Sequence, residues 1–274
     1  PEPSSLRDGL CFLYCTIISA AVVIVLGMAI YGSMVTFWPW NKTLTLNNYN
    51  FAEMSTYGWA PFFNSLTLGA WTAIIGTVLI FLGAYCIEKG RAFGPVRQAM
   101  QMLSVVPMAV PGMVLGLGYI FYFNDLSNPL NFLYGTMAFL VINTVVHYYT
   151  VGHMTALTAL KQLPSEIEAT AASVNLPQYK LFFKVTVPVC LPAILDIATY
   201  LFINALTTTS AVVFLYSTDT IPASVSVLNM DDAGQTGAAA AMAVMIMLAA
   251  ASAKVVHLIV NKLFEKRTQA WRKR

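Results

Sequence analysis

Apolar residues in this chain collect into six long runs separated by shorter polar stretches. The runs cover roughly 10–36, 60–86, 98–123, 133–160, 188–214 and 236–262. Each is about 20 residues or longer, enough to cross a hydrocarbon core about 30 Å thick. None shows the apolar–polar alternation over about ten residues that marks the strands of a membrane barrel. The pattern therefore predicts an all-α, polytopic membrane protein with six transmembrane helices in a single transmembrane domain over residues 1–274. A signal peptide has an apolar core of only about 7–15 residues, so the longer first run predicts a retained helix.

Composition strengthens this reading. Of 274 residues, 58% are hydrophobic and 10% charged, with a mean hydropathy of +0.68. A soluble domain carries about 25% charged residues. The placement of the basic residues adds an orientation. With six spans both termini share one side with the loops after spans two and four. That side holds Arg7, then Lys89, Arg91 and Arg97, then Lys161, Lys180 and Lys184, and the C-terminal series from Lys254 to Arg274. Only Lys42 of the 15 Lys and Arg falls opposite. Basic loops stay on the cytoplasmic side, so both termini are expected there. The other face sets Lys42 against Glu53, Asp125, Asp219, Asp231 and Asp232. Its acidity either follows from the exclusion of basic residues or helps to dock a partner.

The residues that most often carry chemistry are sparse. Cys11, Cys15, Cys86 and Cys190 form no CxxC and read as small apolar fillers. His147, His153 and His257 are too scattered to suggest a metal site. For His147 and His153, within span four, packing or an interhelical hydrogen bond is the expected role. No GxxxxGK[ST] phosphate loop is present, so the chain is not expected to hydrolyse ATP.

The segment 161–187, KQLPSEIEATAASVNLPQYKLFFKVTV, is the one long polar loop on the cytoplasmic side. Ser165 after Pro164 can cap a short helix with Glu166 and Glu168 in its first turn, where acidic groups suit the helix dipole. That helix is expected to end near Asn175, since Asn tolerates the left-handed conformation found beyond helix C-termini. Leu176-Pro177 breaks the chain, because the residue before proline avoids helical angles. A second amphipathic turn follows, with Tyr179, Phe182 and Phe183 beside Lys180 and Lys184.

This segment resembles the cytoplasmic "EAA" loop of ABC-importer permeases, P-x-E-L-x-E-A-A-x-x-x-G followed by a V-T-L-P ending. Pro164, Glu166 and Ile167 match its opening, Ala171 its last alanine, and Val185-Thr186-Val187-Pro188 its end. The family's glutamate falls on Ala169, its first alanine on Thr170 and its glycine on Asn175, with Glu168 one residue from the displaced glutamate. The resemblance implies a type I ABC importer permease fold in a bacterial inner membrane. It also implies that residues about 164–180 form the coupling helix for an ATPase subunit, with Pro164, Glu166, Ile167, Glu168, Ala171, Asn175 and Pro177 as its residues. The implied partners are two ABC ATPase subunits, a second permease (identical or homologous), a periplasmic or lipid-anchored solute-binding protein and the lipid bilayer, with no nucleic acid. The chain itself would bind no cofactor or metal and catalyse nothing; ATP and Mg would be used by the partner ATPase.

Span three reads SVVPMAVPGMVLGLGYIFYF. Pro107 and Pro111 each remove a backbone hydrogen bond and predict kinks. Gly112, Gly116 and Gly118 predict close approach of a neighbouring helix. A structural kink and a gating role both remain open. The string also resembles the third span of permeases in the ferric-iron, polyamine and phosphonate branch, which implies a pore-side position for Pro111 and Gly112. Span five carries Asp196, Asn204 and the run Thr207-Thr208-Thr209-Ser210. Four consecutive hydroxyls cover every face of a helical turn, so some are expected to bond to the preceding turn. The resemblance implies that this span lines the translocation path, with Asn204, Thr207 and Thr208 as candidates. Asp196, about two turns inside one end, is expected to meet water or a lysine rather than relay protons. Asn64-Ser65 matches the "NS" of many such permeases and predicts a helix start.

For the solute, the departures in the loop, the third-span string and LNMDDAGQTGAAAAMA look most like 2-aminoethylphosphonate-type permeases. Ferric iron or another small solute is the alternative. A different class, an ion-gradient-driven transporter or channel, would place ionisable groups or broken helices near mid-membrane, and Asp196 is the only acidic candidate inside a span. A membrane scaffold would explain neither the loop nor the polar residues of span five. The chain opens at Pro1 rather than Met, as a processed or trimmed chain, or the C-terminal half of a longer fused permease, would.

Overall fold

The computed structural model describes residues 5–90 and 94–268; for Ser5, Ser165, Glu168, Ala172 and residues 265–268 it describes the backbone alone. In chain order the elements are α1 (Ser5–Ser33), β1 (Val35–Phe37), β2 (Asn41–Leu44), α2 (Phe51–Met54), α3 (Ala60–Lys89), α4 (Gly94–Ala109) and α5 (Gly112–Phe123). They continue with α6 (Met137–His147), α7 (Tyr149–Lys161), α8 (Ser165–Ser173), α9 (Gln178–Leu181), α10 (Val187–Val189), α11 (Leu191–Thr207), α12 (Ala223–Asp232) and α13 (Thr236–Thr268). Short 3₁₀ turns lie at Asn47–Tyr49 and Asn131–Leu133, and a π-helical turn at Phe182–Thr186.

Among the described residues, three helices are long and apolar enough to cross a membrane, at Leu6–Ser33, Ala60–Lys89 and Thr236–Phe264. Two further spans are possible if each bent pair counts as one: α4 with α5, bent by 106°, and Gln178–Val189 with α11, bent by 72°. Three of the six predicted runs are therefore not single helices. Span three breaks at Val110-Pro111; Pro107 lies inside α4 without ending it. Span four is divided at Tyr148 into α6 and α7. Span five ends early: α11 stops at Thr207, Thr208 is extended, and turns follow. Proline explains the first break, since it removes an N–H and pushes its predecessor out of the helical region. Apolar periodicity alone could not show the other two.

The chain divides into two compact units. Of the described residues, the first comprises 5–59 and 226–247. Here the all-α expectation needs amending: β1 and β2 form a small antiparallel hairpin, with Val35 paired to Leu44 and Phe37 to Asn41. The buried Asn48 supports it, donating from Nδ2 to the carbonyls of Ser33 (2.9 Å) and Val35 (2.8 Å). These two bonds satisfy backbone oxygens at the point where α1 turns into the strand, which would otherwise be buried without partners.

Of the described residues, the second unit comprises 60–90, 94–225 and 248–268. Its axis is α3, which packs chiefly against α11 and α7. Gly69, Gly76 and Gly83 recur every seven residues along α3. A Cβ on Gly76 would lie 2.7 Å from Leu201 Cδ1 and 3.0 Å from Val145 Cγ2, so the glycine is what allows α6 and α11 this close. Small residues serve the same purpose between helices in membranes generally. One apolar cluster gathers Leu68, Phe139, Leu140, Val145, Ala205 and Leu215; another gathers Ile80, Phe81, Leu160, Phe182, Ile197 and Leu201.

Asn64 and Ser65 do not open α3, which begins one turn earlier at Ala60. They act as a clamp instead. Asn64 Nδ2 donates to the carbonyls of Asp219 (2.9 Å) and Ile221 (3.1 Å), and Ser65 Oγ accepts from the N–H of Ala223 (2.8 Å).

Candidate functional site: the segment 164–183 and the broken helices

Residues 164–181 fold as two short helices around a turn, as their sequence predicts. Pro164 stands just before α8, and the N–H of Ile167 reaches the Pro164 carbonyl at 3.2 Å. Ser165 is the first residue of α8 rather than its cap. Asn175 takes φ 55°, the left-handed region where Asn and Gly are favoured. This turn brings the N–H of Leu176 to the Ala171 carbonyl at 2.9 Å, closing the helix end. Pro177 is extended, at φ −67° and ψ 143°, and starts α9.

Together with Phe182 and Phe183, which follow α9, the segment has two faces. Ala171, Leu181 and Phe182 are buried. Phe182 packs edge-on to Tyr85 near the end of α3, with ring centroids 4.6 Å apart. Such a pair is worth about 1 kcal/mol beyond its buried area. Beneath the turn lies a cavity of about 70 Å³ whose lining includes Tyr85, Lys89, Pro164, Ile167, Ala171 and Leu176. The other face presents Glu166, Asn175 and Pro177 together with Val174, Tyr179 and Phe183, which are 68%, 63% and 66% exposed. Three large apolar side chains facing outward on one short segment form a surface suited to a protein partner. The side chain of Glu168 lies outside the described residues. Of the predicted loop residues, Ile167 and Ala171 thus hold the segment in place, and Pro164, Glu166, Asn175 and Pro177 stand at its surface.

The second site is the junction where α5 begins. Pro111 occupies the position before the helix, at φ −57° and ψ 140°, and Gly112 is buried. A Cβ on Gly112 would meet Ser210 Oγ at 2.7 Å, His147 Cε1 at 3.1 Å and the Ala211 nitrogen at 3.2 Å. Gly116, one turn on, faces the Ala211 carbonyl in the same way. Gly118 meets nothing within 4 Å, so the expected third contact is absent among the described residues. The turn at 210–211 is fixed from the other side by Asn143, buried in α6, whose Nδ2 donates to the Ala211 carbonyl at 2.8 Å.

The hydroxyl run does not form a helical turn as the sequence suggested, because the helix ends within it. Thr207 is exposed and bonds back to the Ile203 carbonyl at 3.2 Å. Thr208 is buried; its carbonyl accepts from Ser224 Oγ, while its own hydroxyl has no partner among the described residues. Asn204 is half-buried and donates to the Tyr200 carbonyl at 2.8 Å. Pro111, Gly112 and the 208–211 turn are therefore brought together, whereas Asn204 and Thr207 bond within their own helix.

His153 makes the expected interhelical bond, its Nε2 lying 3.0 Å from Gln101 Oε1. Asp196 is half-exposed, as a carboxylate that meets water would be, and its Oδ1 also lies 3.1 Å from Nε2 of the buried His257, a neighbour not foreseen from the sequence. The intervening sequence of some 60 residues offers no signal for this pairing.

The profile of the family described as "Binding-protein-dependent transport system inner membrane component" matches residues 80–267. The chain belongs to this family. It is thus an inner-membrane permease component of an ABC transport system, a class that leaves ATP hydrolysis to a partner subunit and binds no cofactor of its own. Membership separates it from transporters and channels driven by ion gradients. The chain is 31% identical over 218 residues to the ferric transport system permease protein FbpB of Actinobacillus pleuropneumoniae, covering 78% of this chain and 31% of that protein. It is 30% identical over 197 residues to the putative ferric transport system permease protein FbpB 1 of Haemophilus influenzae, covering 71% of this chain and 30% of that one. It thus spans about a third of the length of these relatives. Among solved structures, a bacterial ABC transporter involved in import of the polysaccharide alginate shares the fold. The TM-score is 0.73 at 16% identity, over 96% of this chain and 97% of that one.

Proposed function

We propose that this chain forms half of the transmembrane pathway of an ATP-driven importer, crossing the membrane six times with both termini in the cytoplasm. Six spans result when each bent pair, and α6 with α7, counts as one crossing beside the three long helices. A second permease supplies the other half, two ATPase subunits dock at the coupling segments, and a solute-binding protein delivers cargo to the outer face. The observation that carries this reading is the two-faced segment 164–183. It is anchored inward by Ala171, Leu181 and Phe182, and it turns Val174, Tyr179 and Phe183 outward for a partner. Movement of that partner reaches the helices because the segment's buried face sits against α3. Alternating access then follows from biasing a two-state arrangement of the helices.

The cargo we assign is ferric iron. Its support is the naming of relatives at 30–31% identity as ferric transport permeases. This alternative displaces the 2-aminoethylphosphonate reading of the sequence motifs.

The test uses the assembled transporter in proteoliposomes with its ATPase and binding protein. Deleting 166–176 is expected to leave the protein inserted while abolishing uptake and the stimulation of ATP hydrolysis by loaded binding protein. Unchanged stimulation in the deletion would overturn the coupling assignment. Uptake of 2-aminoethylphosphonate without uptake of radioactive iron would overturn the cargo.

A further inference from the structure

The hairpin β1–β2 exposes more apolar surface than so small a sheet sustains in water. Its strands have three and four residues, and no third strand joins them among the described residues. An isolated two-stranded hairpin is marginal in water. Yet Phe37, Leu44 and Leu46 are 54%, 67% and 67% exposed, and Trp40 in the turn is 83% exposed. Asn48 secures the base at Ser33 and Val35, and Thr36 meets Thr43 across the strands, Oγ1 to Oγ1 at 2.9 Å. Contiguous exposed apolar surface of this kind marks a site of contact with a partner or a membrane.

The height of the hairpin is set by α1. Its apolar stretch Leu6–Ser33 has 28 residues, about 42 Å at about 1.5 Å per residue. A bilayer with its head groups is about 40–45 Å thick. A helix that starts among the head groups of one leaflet therefore ends among those of the other, and β1 begins two residues after Ser33. Every residue from Leu6 to Met28 is exposed. A protein partner covers one side of a helix rather than its whole circumference, so lipid borders α1 and reaches the level of the hairpin.

The side chains there suit that level. Tyr31, in the last turn of α1, meets Trp38 edge-on with ring centroids 6.4 Å apart. Lys42 Nζ stands 5.4 Å from the centroid of the Trp38 ring, and no carboxylate pairs with it among the described residues. Trp and Tyr gather at the head-group level, where one side of the ring is apolar and the other wet. The core of a protein–protein interface is depleted in lysine, so an exposed ammonium over exposed indoles favours head groups over a second protein chain. We infer that the hairpin is a membrane-interface anchor: Phe37, Trp38 and Trp40 enter the head-group region at the end of α1, and Lys42 takes the phosphate of an anionic lipid. The anchor fixes the height of α1. It also fixes the start of α13, because Gly237 approaches Asn48 so closely that a Cβ there would lie 2.6 Å from Asn48 Nδ2. The inference goes beyond the importer reading and holds for any cargo.

Tryptophan emission of the assembled transporter in lipid vesicles tests this, with the difference between wild type and Trp40→Phe isolating Trp40. That emission is expected to be strongly quenched by lipids brominated near the head-group end of their acyl chains, and little by iodide in the water. Brominated phosphatidylglycerol should be preferred over brominated phosphatidylcholine at the hairpin by about fivefold, and Lys42→Gln should abolish that preference. Should Trp40→Phe fail to assemble, Leu44→Trp adds a reporter on the same hairpin, with the same quenching expected. Quenching by iodide and not by lipid would overturn the anchor. Protection from both lipid and iodide, the mark of a second permease over the hairpin, would do the same, as would iodide quenching that ends only when loaded solute-binding protein is added. Equal quenching by the two lipids in wild type would overturn the role given to Lys42.

Discussion

Residues 164–181 and the junction at Pro111 are both interruptions of helical structure, but they are built in opposite ways. The segment is held by its own sequence: a proline before α8, an asparagine in the left-handed region, a second proline before α9. Its contacts with the rest of the protein run through one buried face. The junction is held by residues distant in sequence, with Gly112 against Ser210 and His147, and Asn143 bound to Ala211. The turns of the first are set by local backbone preference. The second exists only while α5, α6 and the turn after α11 are packed together.

That difference predicts where damage is greatest. Gly112→Val forces a branched side chain into space where even a Cβ would be 2.7 Å from Ser210 Oγ. Overpacking of this kind costs about 3 kcal/mol, and uptake should fall to background together with a clear drop in thermal stability in detergent. A wild-type melting temperature in this variant would mean that the junction is far looser than described. Asn143→Leu leaves the buried Ala211 carbonyl unpaired, at a cost of about 2 kcal/mol. It should lower stability without altering insertion, and the cost should shrink if water can enter the junction.

At the segment 164–181 the effects should be smaller and local. Asn175→Val places a β-branched residue at φ 55°, costing about 1–2 kcal/mol, whereas Asn175→Gly should be close to neutral. Amide hydrogen exchange over 165–181 would report both, and equal exchange in the two variants would count against a left-handed turn. The smallest effect concerns Asp125, a surface carboxyl between α5 and α6. The backbone N–H and the hydroxyl of Ser127 both donate to Oδ1 at 2.8 Å and hold the carboxyl below its ordinary value. A carboxyl depressed in the folded state stabilises it at higher pH, and that contribution is lost as pH falls through the folded value. Ser127→Ala should therefore move the Asp125 titration upward, visible by carboxyl NMR, with little change in stability at neutral pH.

The same contrast explains what could be read from the sequence. Pro164, Asn175 and Pro177 act on their own backbone, so their local chemistry foretold two helices and a turn. The apolar runs likewise located membrane helices, since burial in lipid asks only for length and hydrophobicity. Periodicity could not show that the fourth run divides at Tyr148 or that the fifth stops at Thr207. An apolar stretch looks the same whether it is one helix or two. The polar contacts were least legible. Asn143, His257 and the Asn64-Ser65 clamp take partners 61 to 158 residues away, and nothing local distinguishes them from surface polar groups. The hairpin at Val35–Leu44 was missed because strands of three and four residues fall below the length at which alternation is visible.

The clamp at Asn64-Ser65 and the packing at Tyr85 fasten the two ends of one uninterrupted helix. At about 1.5 Å per residue, the 30 residues of α3 make a strut about as long as the bilayer is thick. An α3 that tilts as a rigid body where Phe182 meets Tyr85 also moves its other end, at the 219–223 loop.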